Sequence, residues 1–418
     1  MRVLWISNVV FPDACKHLGI EAPYGGGWMY SCAKALLKES GEIQLGVISF
    51  YKASNLLSFK EKNIQYYLIP LKDDKKYDKS IENYYIKIKQ EFQPDIIHIH
   101  GSEYPHSLAY IKACGNQNVI VSIQGMVSIY SQYYLGNINY KCIKKYRTLR
   151  DLIRKDSLLD QQKEMRKRGE YEKTLISNIK YVIGRTTWDY SCSWAINPTL
   201  RYFKCNETLR STFYKREWHY DTCEPFRIFL SQAHYPIKGL QQVIQALPMV
   251  LRKFPKTKVY IAGNNFISKS RLRRNGFANY IKHLMQKNQV TDKFIFLGNL
   301  SEEEMAEQFI KANVFICPSA IENSPNSIGE AQLIGTPTVA SYVGGTMDMI
   351  TDNIDGYLYR YEEINLLSLR ICNIFEEKEL ATRISIKARE TAHKRHNPQT
   401  NVNKLLSIYH EILNLEKQ

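Results

Sequence analysis

The segment from Val314 to Asp348 constrains the fold of this chain most strongly, because it predicts a strand, a loop, a helix and a second strand in succession. Its apolar start, Val314 to Cys317, is ended by Pro318 and predicts a buried parallel strand. Ser327 is predicted to cap the helix, and Gly335 to end it. A helix N-terminus therefore follows the carboxyl end of a strand, where open α/β sheets bind ligands and where phosphate is favoured.

Two carboxylates flank this helix N-terminus. Glu322 lies in the loop and Glu330 near the end of the first predicted helical turn, so both can face one cleft while the amides between them remain donors. Two carboxylates that accept hydrogen bonds, with amide donors between them, suit a nucleotide sugar, because this ligand combines several hydroxyls with a diphosphate. The alternative interpretation is a solvated loop glutamate and a helix glutamate that interacts with the helix dipole.

The same stretch resembles the E-x7-E signature of the retaining glycosyltransferases of family 4, the group 1 glycosyltransferases. It has the usual P-S before the first glutamate, the strand G-T-P-T-V-A after the second, and the closing G-G. The resemblance implies a GT-B architecture, an α/β fold of two Rossmann-like domains whose parallel sheets face each other across a cleft. It implies that Glu330 binds the ribose hydroxyls and that Glu322 binds and stabilises the donor sugar. The other donor-binding positions that it implies here are Asn323, Ser324, Asn326, Ser327 and Ile328.

Two further loops match the donor site of that family. A glycine triplet lies between the first predicted strand and the helix after it, and by the resemblance Gly26 and Gly27 close over the phosphates. Asn299 and Leu300 follow a later strand, at the place where the family contacts the base. A glycine triplet alone also fits a plain loop, so its position after the first strand is what favours phosphate binding.

Lys238 and Gln124 complete the predicted catalytic set with Glu322. Lys238 projects from a strand-to-helix loop, where its ammonium would neutralise the departing diphosphate, and a solvated lysine is the alternative. Gln124 stands where family members usually carry a histidine, and a glutamine can form hydrogen bonds but cannot titrate near neutrality. Gln232 stands in place of the family's usual arginine, so one phosphate contact is missing.

No metal and no cofactor are predicted, and the nucleotide-diphosphate sugar is the expected co-substrate. His98 and His100 share one face of a strand without a third ligand nearby in the sequence, and they are expected to be satisfied structurally. The chain has no acidic D-x-D triplet, which favours metal-independent transfer. Glu103, just after that strand, and Arg185, in a later strand-to-helix turn, are predicted to reach the acceptor.

The net charge of +16 predicts an anionic partner. Residues 140–173 carry twelve Lys and Arg against six Asp and Glu, which fits either contact with an anionic membrane surface or a solvated surface helix. Residues 261–290 hold six basic and no acidic residues, but no nucleic-acid-binding module accompanies them, so no specific nucleic acid is expected. Nine scattered cysteines without a C-x-x-C pair, and no apolar run of the length of a spanning helix, predict a cytoplasmic protein, with the inner membrane face as a peripheral location.

The chain is predicted to divide into an N-terminal acceptor domain over 1–214, a linker over 215–225 and a nucleotide-sugar domain over 226–395. A C-terminal helix over 396–418 is predicted to pack back on the first domain, and Glu207 with Arg210 to form an ion pair between domains. The predicted function is retaining transfer of a hexosyl unit to a glycan or lipid-linked saccharide acceptor, in surface polysaccharide synthesis. The alternatives are a non-catalytic nucleotide-sugar binding protein and an epimerase or phosphorylase of the same fold.

Overall fold

The computed structural model describes residues 1–22, 27–52, 54–270 and 272–417. The chain divides into two compact units, and neither is one continuous segment. Unit 1 contains Met1–Tyr130, Glu164–Leu209 and His396–Gln418, and unit 2 contains Ser131–Lys163 and Arg210–Arg395. Each unit is therefore assembled from stretches that lie far apart in the sequence.

Strands and helices alternate along most of the chain, as expected for parallel sheets with crossover helices. The strands are β1 (Arg2–Ser7), β2 (Gln44–Tyr51), β3 (Leu57–Glu61), β4 (Ile64–Pro70), β5 (Ile96–His100), β6 (Val119–Ser122), β7 (Tyr181–Gly184), β8 (Arg201–Lys204), β9 (Arg227–Leu230), β10 (Lys258–Ile261), β11 (Phe294–Phe296), β12 (Val314–Cys317), β13 (Thr338–Ser341) and β14 (Tyr357–Tyr359). The helices are α1 (Pro12–Leu18), α2 (Gly27–Glu39), α3 (Ile81–Phe92), α4 (Pro105–Cys114), α5 (Val127–Tyr133), α6 (Tyr140–Tyr146), α7 (Leu149–Arg154), α8 (Leu158–Ser177), α9 (Thr187–Ile196), α10 (Ser211–Tyr214), α11 (Leu240–Lys253), α12 (Gly276–Lys287), α13 (Glu302–Lys311), α14 (Asn326–Ile334), α15 (Ile364–Glu376), α16 (Lys378–Arg395) and α17 (Pro398–Leu415). Among the helices of the described residues, none is both long enough and apolar enough to cross a membrane.

Unit 1 is built on an eight-stranded sheet in the order β3-β4-β2-β1-β5-β6-β7-β8. Its neighbouring strands are parallel, except that β3 runs antiparallel to β4 at the edge. The central strand β1 buries Leu4 and Ile6 in one apolar core and Val3 and Trp5 in another. Because successive side chains of a strand point to opposite faces, these cores lie on the two sides of the sheet. Strand β3 carries mostly exposed side chains, so it lacks the apolar run that predicts the other strands.

Unit 2 is built on a six-stranded, wholly parallel sheet in the order β11-β10-β9-β12-β13-β14. Strand β12 has the predicted bounds and is fully buried. Helix α11 buries Leu240, Val243, Ile244 and Leu247, which is the face that their spacing predicts. The predicted α/β class and the parallel sheets are therefore confirmed.

The units differ from the predicted domains in two places. Residues 131–163, which include much of the predicted basic insert, belong to unit 2, where α6 packs on α12 and the Gln241 amide donates to the carbonyl of Gly136 (3.0 Å). The predicted linker, 215–225, is packed rather than free, since Trp218 is buried and its indole donates to the carbonyl of Ala312 (2.7 Å). Residues from His396 onward lie in unit 1, where α17 packs on α2.

Candidate functional site

The N-terminus of helix α14 is the centre of the candidate site in unit 2. Glu322 and Asn323 are buried in the loop between β12 and α14, and Ser324, Asn326 and Ser327 are half-buried. The predicted capping by Ser327 is wrong, because the helix begins at Asn326 and the residue in the capping position is Pro325, without a side-chain cap. The first amides of an α-helix have no acceptor within the helix, so this end of α14 is suited to an anionic group. The predicted end of the helix at Gly335 is confirmed.

Lys238 and Glu322 form a close ion pair at the carboxyl edge of this sheet. The Lys238 Nζ lies 2.5 Å from Glu322 Oε1, although 84 residues separate the two in sequence. Burial opposes the charge on Lys238, but the carboxylate of Glu322 outweighs it and raises the pKa of the ammonium. Lys238 is therefore fully charged at neutral pH, as the predicted role requires.

Gly239 and the loop after β12 fix the position of Lys238. Lys238 ends a short 3-10 turn, and Gly239 follows it in the left-handed region (φ +73°). A Cβ on Gly239 would collide with the carbonyl oxygen of Pro318. The carbonyl of Ile237, next to Lys238, also accepts from the amide of Ala320 (2.7 Å). The backbones that carry Lys238 and Glu322 are thus held against each other.

The closing G-G of the signature holds the Glu322 loop from its other side. Gly344 has a left-handed backbone (φ +52°), and a Cβ there would collide with the carbonyl oxygen of Glu322. The amide of Gly345 donates to the same carbonyl (3.0 Å). Both glycines therefore position the backbone of Glu322 by close contact.

Glu330, the second carboxylate, pairs with Arg210. The Nε and one terminal nitrogen of Arg210 each lie 2.8 Å from Glu330 Oε1. Burial raises the pKa of Glu330 to about 6, and the guanidinium of Arg210 limits that increase. The predicted pairing of Arg210 with Glu207 is therefore wrong. No local pattern signals the correct partner, because 120 residues separate Arg210 from Glu330.

The predicted base-binding loop lies beside the segment that carries Arg210. Asn299 is exposed and Leu300 half-buried, in the connection between β11 and α13. Glu302, at the start of α13, accepts from the amide of Thr212 (3.0 Å), and its charge contributes to the raised pKa of Glu330. The structure thus brings the Asn299 loop, Arg210 and Glu330 into one neighbourhood of unit 2.

Gln124 and Arg185 lie together in unit 1. The guanidinium of Arg185 donates to the carbonyl of Ile123 (2.5 Å) and to Gln124 Oε1 (3.4 Å), and it forms an ion pair with Glu207. Glu207 is the true partner of Arg185 and was predicted to pair elsewhere. Because Arg185 is 4% exposed and has these internal partners, its main contribution within the unit is to hold the loop of Gln124.

The two strand histidines differ in their surroundings. His98 is fully satisfied, with Nδ1 2.6 Å from the hydroxyl of Tyr409 and Nε2 2.6 Å from that of Ser122. His100 is buried, stacks on His98 at 3.9 Å between ring centroids, and has no hydrogen-bond partner among the described residues. In those same residues, no group of three or more His, Cys, Asp and Glu is placed to hold a metal ion.

Glu103 is half-buried. Beside it lies a buried carboxylate, Glu172, that the sequence analysis did not single out. Burial raises the pKa of Glu103 to about 7, and the charge of Glu172 adds to the increase. Glu172 accepts hydrogen bonds from Ser102 Oγ (2.7 Å) and from the amides of Val127 (3.2 Å) and Ser128 (2.8 Å). It therefore fixes the loop that follows Gln124.

Of the two glycines predicted to close over the phosphates, Gly27 is the first residue of α2, and Gly26 lies outside the described residues.

Comparison with known proteins gives a family match over part of this chain. Residues 213–391 match the family model described as glycosyl transferases group 1. Spore coat protein SA of Bacillus subtilis is 26% identical over 180 residues, which cover 41% of this chain and 45% of that protein. The chain spans half of the length, or less, of this and two other curated relatives that it matches.

Solved structures resemble the chain over nearly its whole length. Sucrose-phosphate synthase from Thermosynechococcus elongatus superposes with a TM-score of 0.72 at 14% identity, covering 99% of both chains. HepE of Anabaena in complex with UDP-glucose superposes with a TM-score of 0.64 at 14% identity, covering 97% of this chain and 99% of that one. At this identity the likeness establishes the fold. Residues 213–391 thus match the group 1 glycosyltransferase family, and the fold of the chain is GT-B.

Proposed function

We propose that this protein transfers a hexosyl unit from a nucleotide-diphosphate sugar to a glycan or lipid-linked saccharide acceptor, in the synthesis of surface polysaccharide. The observation that carries the proposal is the Lys238–Glu322 pair beside the N-terminus of α14. It combines a fixed cation, helix amides and a carboxylate within one unit, which is the set that a sugar diphosphate needs. The structure of HepE with UDP-glucose supports a donor of this class.

The reaction depends on charge that develops on the leaving group. As the bond between the sugar C1 and the diphosphate oxygen breaks, negative charge grows on the diphosphate and positive charge on the sugar ring. The ammonium of Lys238 and the first amides of α14 stabilise the former. Since Lys238 supplies a fixed positive charge there, we propose that transfer does not require a metal ion.

The two glutamates have different roles in this proposal. Lys238 occupies Oε1 of Glu322, which leaves Oε2 to accept a hydroxyl of the donor sugar and to stabilise its developing charge. Glu330 accepts from the ribose hydroxyls. Amides and side chains of Asn323 to Ile328 line the diphosphate, with Asn299 and Leu300 at the base. We propose retention of configuration, in which the acceptor hydroxyl attacks C1 from the face that the diphosphate leaves and gives its proton to the departing diphosphate oxygen.

The first experiment is thermal unfolding of the purified protein with UDP, GDP, CDP and ADP, each with magnesium and with a chelator. A nucleotide at a hundred times its dissociation constant stabilises a protein by about 2.7 kcal/mol, which gives a measurable shift. We expect a shift with one nucleotide that the chelator leaves unchanged. A shift that vanishes with the chelator contradicts metal independence, and the anomeric configuration of an isolated product tests retention.

A second candidate function is nucleotide-sugar binding without turnover. Gln124 and Gln232 favour it, since each replaces a residue that the family usually has, and Gln232 is engaged in a hydrogen bond with Tyr235. Binding of the donor without hydrolysis or transfer to any acceptor would support this alternative. Release of free nucleotide from the donor sugar would reject it.

A further inference from the structure

Helix α7 exposes its apolar side chains and buries its carboxylate. Leu149 and Ile153 are each 73% exposed and Leu152 is 49% exposed, whereas Asp151 is 1% exposed. A surface helix of a globular protein normally has the opposite arrangement, with the apolar side chains packed inward. The exposed aliphatic face of α7 therefore suits an apolar medium outside the unit.

The buried Asp151 holds α7 in this orientation. Its carboxylate accepts from the amide of Gly276, at the start of α12 (2.8 Å), and from the amide of Thr148 (3.0 Å). Thr148 and Asp151 form a reciprocal capping box at the helix start. A Cβ on Gly276 would lie 2.9 Å from the carbonyl oxygen of Tyr146, so the contact requires a glycine. These contacts thus fix the orientation of α7 within unit 2, with its apolar side chains facing outward.

The two basic stretches noted in the sequence meet beside this face. An open groove of about 1370 Å³, here called the basic groove, is lined by α7 with the residues before it and by Lys269, Leu272, Arg273, Arg274 and Asn279. Five of its cations form no ion pair among the described residues, and these are Lys145, Arg154, Lys269, Arg273 and Arg274. Leu272, also in the groove lining, is 87% exposed. The surface of unit 2 at the basic groove therefore exposes both cations and aliphatic side chains.

We propose that the basic groove and the exposed side chains of Leu149, Ile153 and Leu272 form a docking surface for an anionic lipid bilayer. The cations match the phosphates of anionic headgroups, and the aliphatic tips enter the interfacial layer between headgroups and acyl chains. A soluble polyanion such as nucleic acid would satisfy the cations but would leave the aliphatic side chains in water. The combination of both features is what favours a bilayer.

Sedimentation with vesicles tests the proposal. Wild-type protein is expected to bind vesicles of phosphatidylcholine with 30% phosphatidylglycerol and not vesicles of phosphatidylcholine alone. Each basic residue near such a surface contributes about fivefold in affinity, so R154Q with R273Q is expected to weaken binding about 25-fold. L149N with I153N is expected to weaken it at least about tenfold, because the aliphatic contacts are lost.

Matched control variants lie elsewhere on unit 2. K256Q with R383Q removes two exposed cations that take part in no ion pair among the described residues, and L369N with I386N removes aliphatic side chains that are 54% and 52% exposed. Both controls are expected to bind the anionic vesicles as the wild type does. The nucleotide-induced thermal shift is expected to persist in all four variants, so vesicle binding and the proposed transfer reaction are tested separately.

Three results would overturn the docking surface. The first is that wild-type protein fails to bind anionic vesicles. The second is that the α7 and groove variants bind as tightly as their controls. The third is that wild-type protein and L149N with I153N bind heparin equally well while neither binds vesicles, which would identify the groove as a site for soluble polyanions.

Discussion

Glu330 is subject to two opposing influences. Its burial favours the protonated form, and the guanidinium of Arg210 favours the carboxylate, with a resulting pKa of about 6. This carboxylate is therefore ionised at neutral pH but close to the point at which it takes up a proton. A group with this property should make nucleotide binding sensitive to mild acid.

The affinity for the nucleotide that shifts thermal unfolding is expected to fall with pH. A carboxyl group with a pKa of about 6 is ionised above pH 6, so binding that needs the carboxylate is complete near pH 8 and is lost as the pH falls through 6. One pH unit below the pKa, about a tenth of the molecules retain the charge, which predicts about tenfold weaker binding at pH 5. Calorimetric titrations from pH 5 to 8 measure this.

Glu330→Gln provides the control for that pH profile, because glutamine keeps the shape and one acceptor without titrating. At pH 8 the variant is expected to bind about tenfold more weakly than the wild type, since a hydrogen bond to a charged group is lost. The part of the profile that Glu330 causes should be absent. An identical pH dependence in the variant would refute the ribose-binding role.

Replacement of Lys238 tests the leaving-group role. Lys238→Met removes the cation while keeping much of the side-chain volume, and turnover is expected to fall by about 10²- to 10³-fold. The single change also leaves Glu322 buried and unpaired, which destabilises the fold. Lys238→Met with Glu322→Gln should recover stability but not turnover. Full activity in a stable variant would exclude the proposed role.

Sequence analysis singled out Glu322, Glu330 and Lys238 as candidate site residues because each lies in a motif or a loop with a recognisable pattern. Arg210 and Glu172 were missed as partners, since each acts through a contact formed only in the folded chain. The distance in sequence between Ser102 and Glu172 is 70 residues, and no periodicity encodes that pairing. Residue types and local spacing can thus suggest where the chemistry occurs, but not which side chains hold it in place.

At the level of elements, two glycines determine how the loops of unit 2 meet. Gly239 and Gly344 have left-handed backbones, and each lies against the carbonyl oxygen of a residue in the connection between β12 and α14. Helices and strands set the coarse position of Lys238 and Glu322, and these glycines set the final approach. A single added methyl group should therefore separate the pair.

Gly239→Ala is expected to destabilise the protein much more than Gly19→Ala. Both glycines have left-handed backbones, with φ of +73° and +67°, but a Cβ on Gly19 meets nothing within 4 Å. The backbone cost is about 1–2 kcal/mol in both variants, and the collision with Pro318 adds at least about 2 kcal/mol in Gly239→Ala. Urea denaturation measures the difference in unfolding free energy. Equal losses in the two variants would show that the loop at Pro318 shifts to accommodate the added methyl group at no cost.

The parallel sheets were predictable because buried strands such as β12 are continuous apolar runs bounded by Pro and Gly. Strand β3 and the outward orientation of helix α7 were not, for opposite reasons. Strand β3 is an exposed edge without an apolar run, and α7 has an apolar face that does not point inward. The cap of α14 was wrong because a proline takes the position that a hydroxyl side chain often occupies.

For the whole molecule, the main departure from the expected organisation is that residues 131–163 belong to unit 2, whereas packing of the C-terminal helix on the first domain was expected. Unit 1 needs residues from the start, the middle and the far end of the chain. Its closing contact is Tyr409 on α17, which accepts a hydrogen bond from Trp5 Nε1 (3.0 Å) and lies 2.6 Å from His98 Nδ1. The prediction kept every residue before the linker in the first domain, and this is why residues 131–163 were misassigned.

Tyr409→Phe tests how strongly α17 completes unit 1. The change removes one hydroxyl and leaves the Trp5 indole and His98 without that partner in a buried site, so a loss of about 2–3 kcal/mol is expected. Tyr190→Phe, at a tyrosine that is 47% exposed, should change the stability by less than about 0.5 kcal/mol. Chemical denaturation followed by tryptophan fluorescence compares the two. Equal stabilities would show that α17 is held by apolar packing alone.

The contact between Trp5 and Tyr409 also dictates when this protein can finish folding in a cell. The two residues are 404 positions apart, and a ribosome that adds about 5–20 residues per second needs about 20–80 s to cover that distance. During this time one apolar face of the unit 1 sheet is not yet covered by α17. Unit 1 therefore completes its folding only after α17 has been translated.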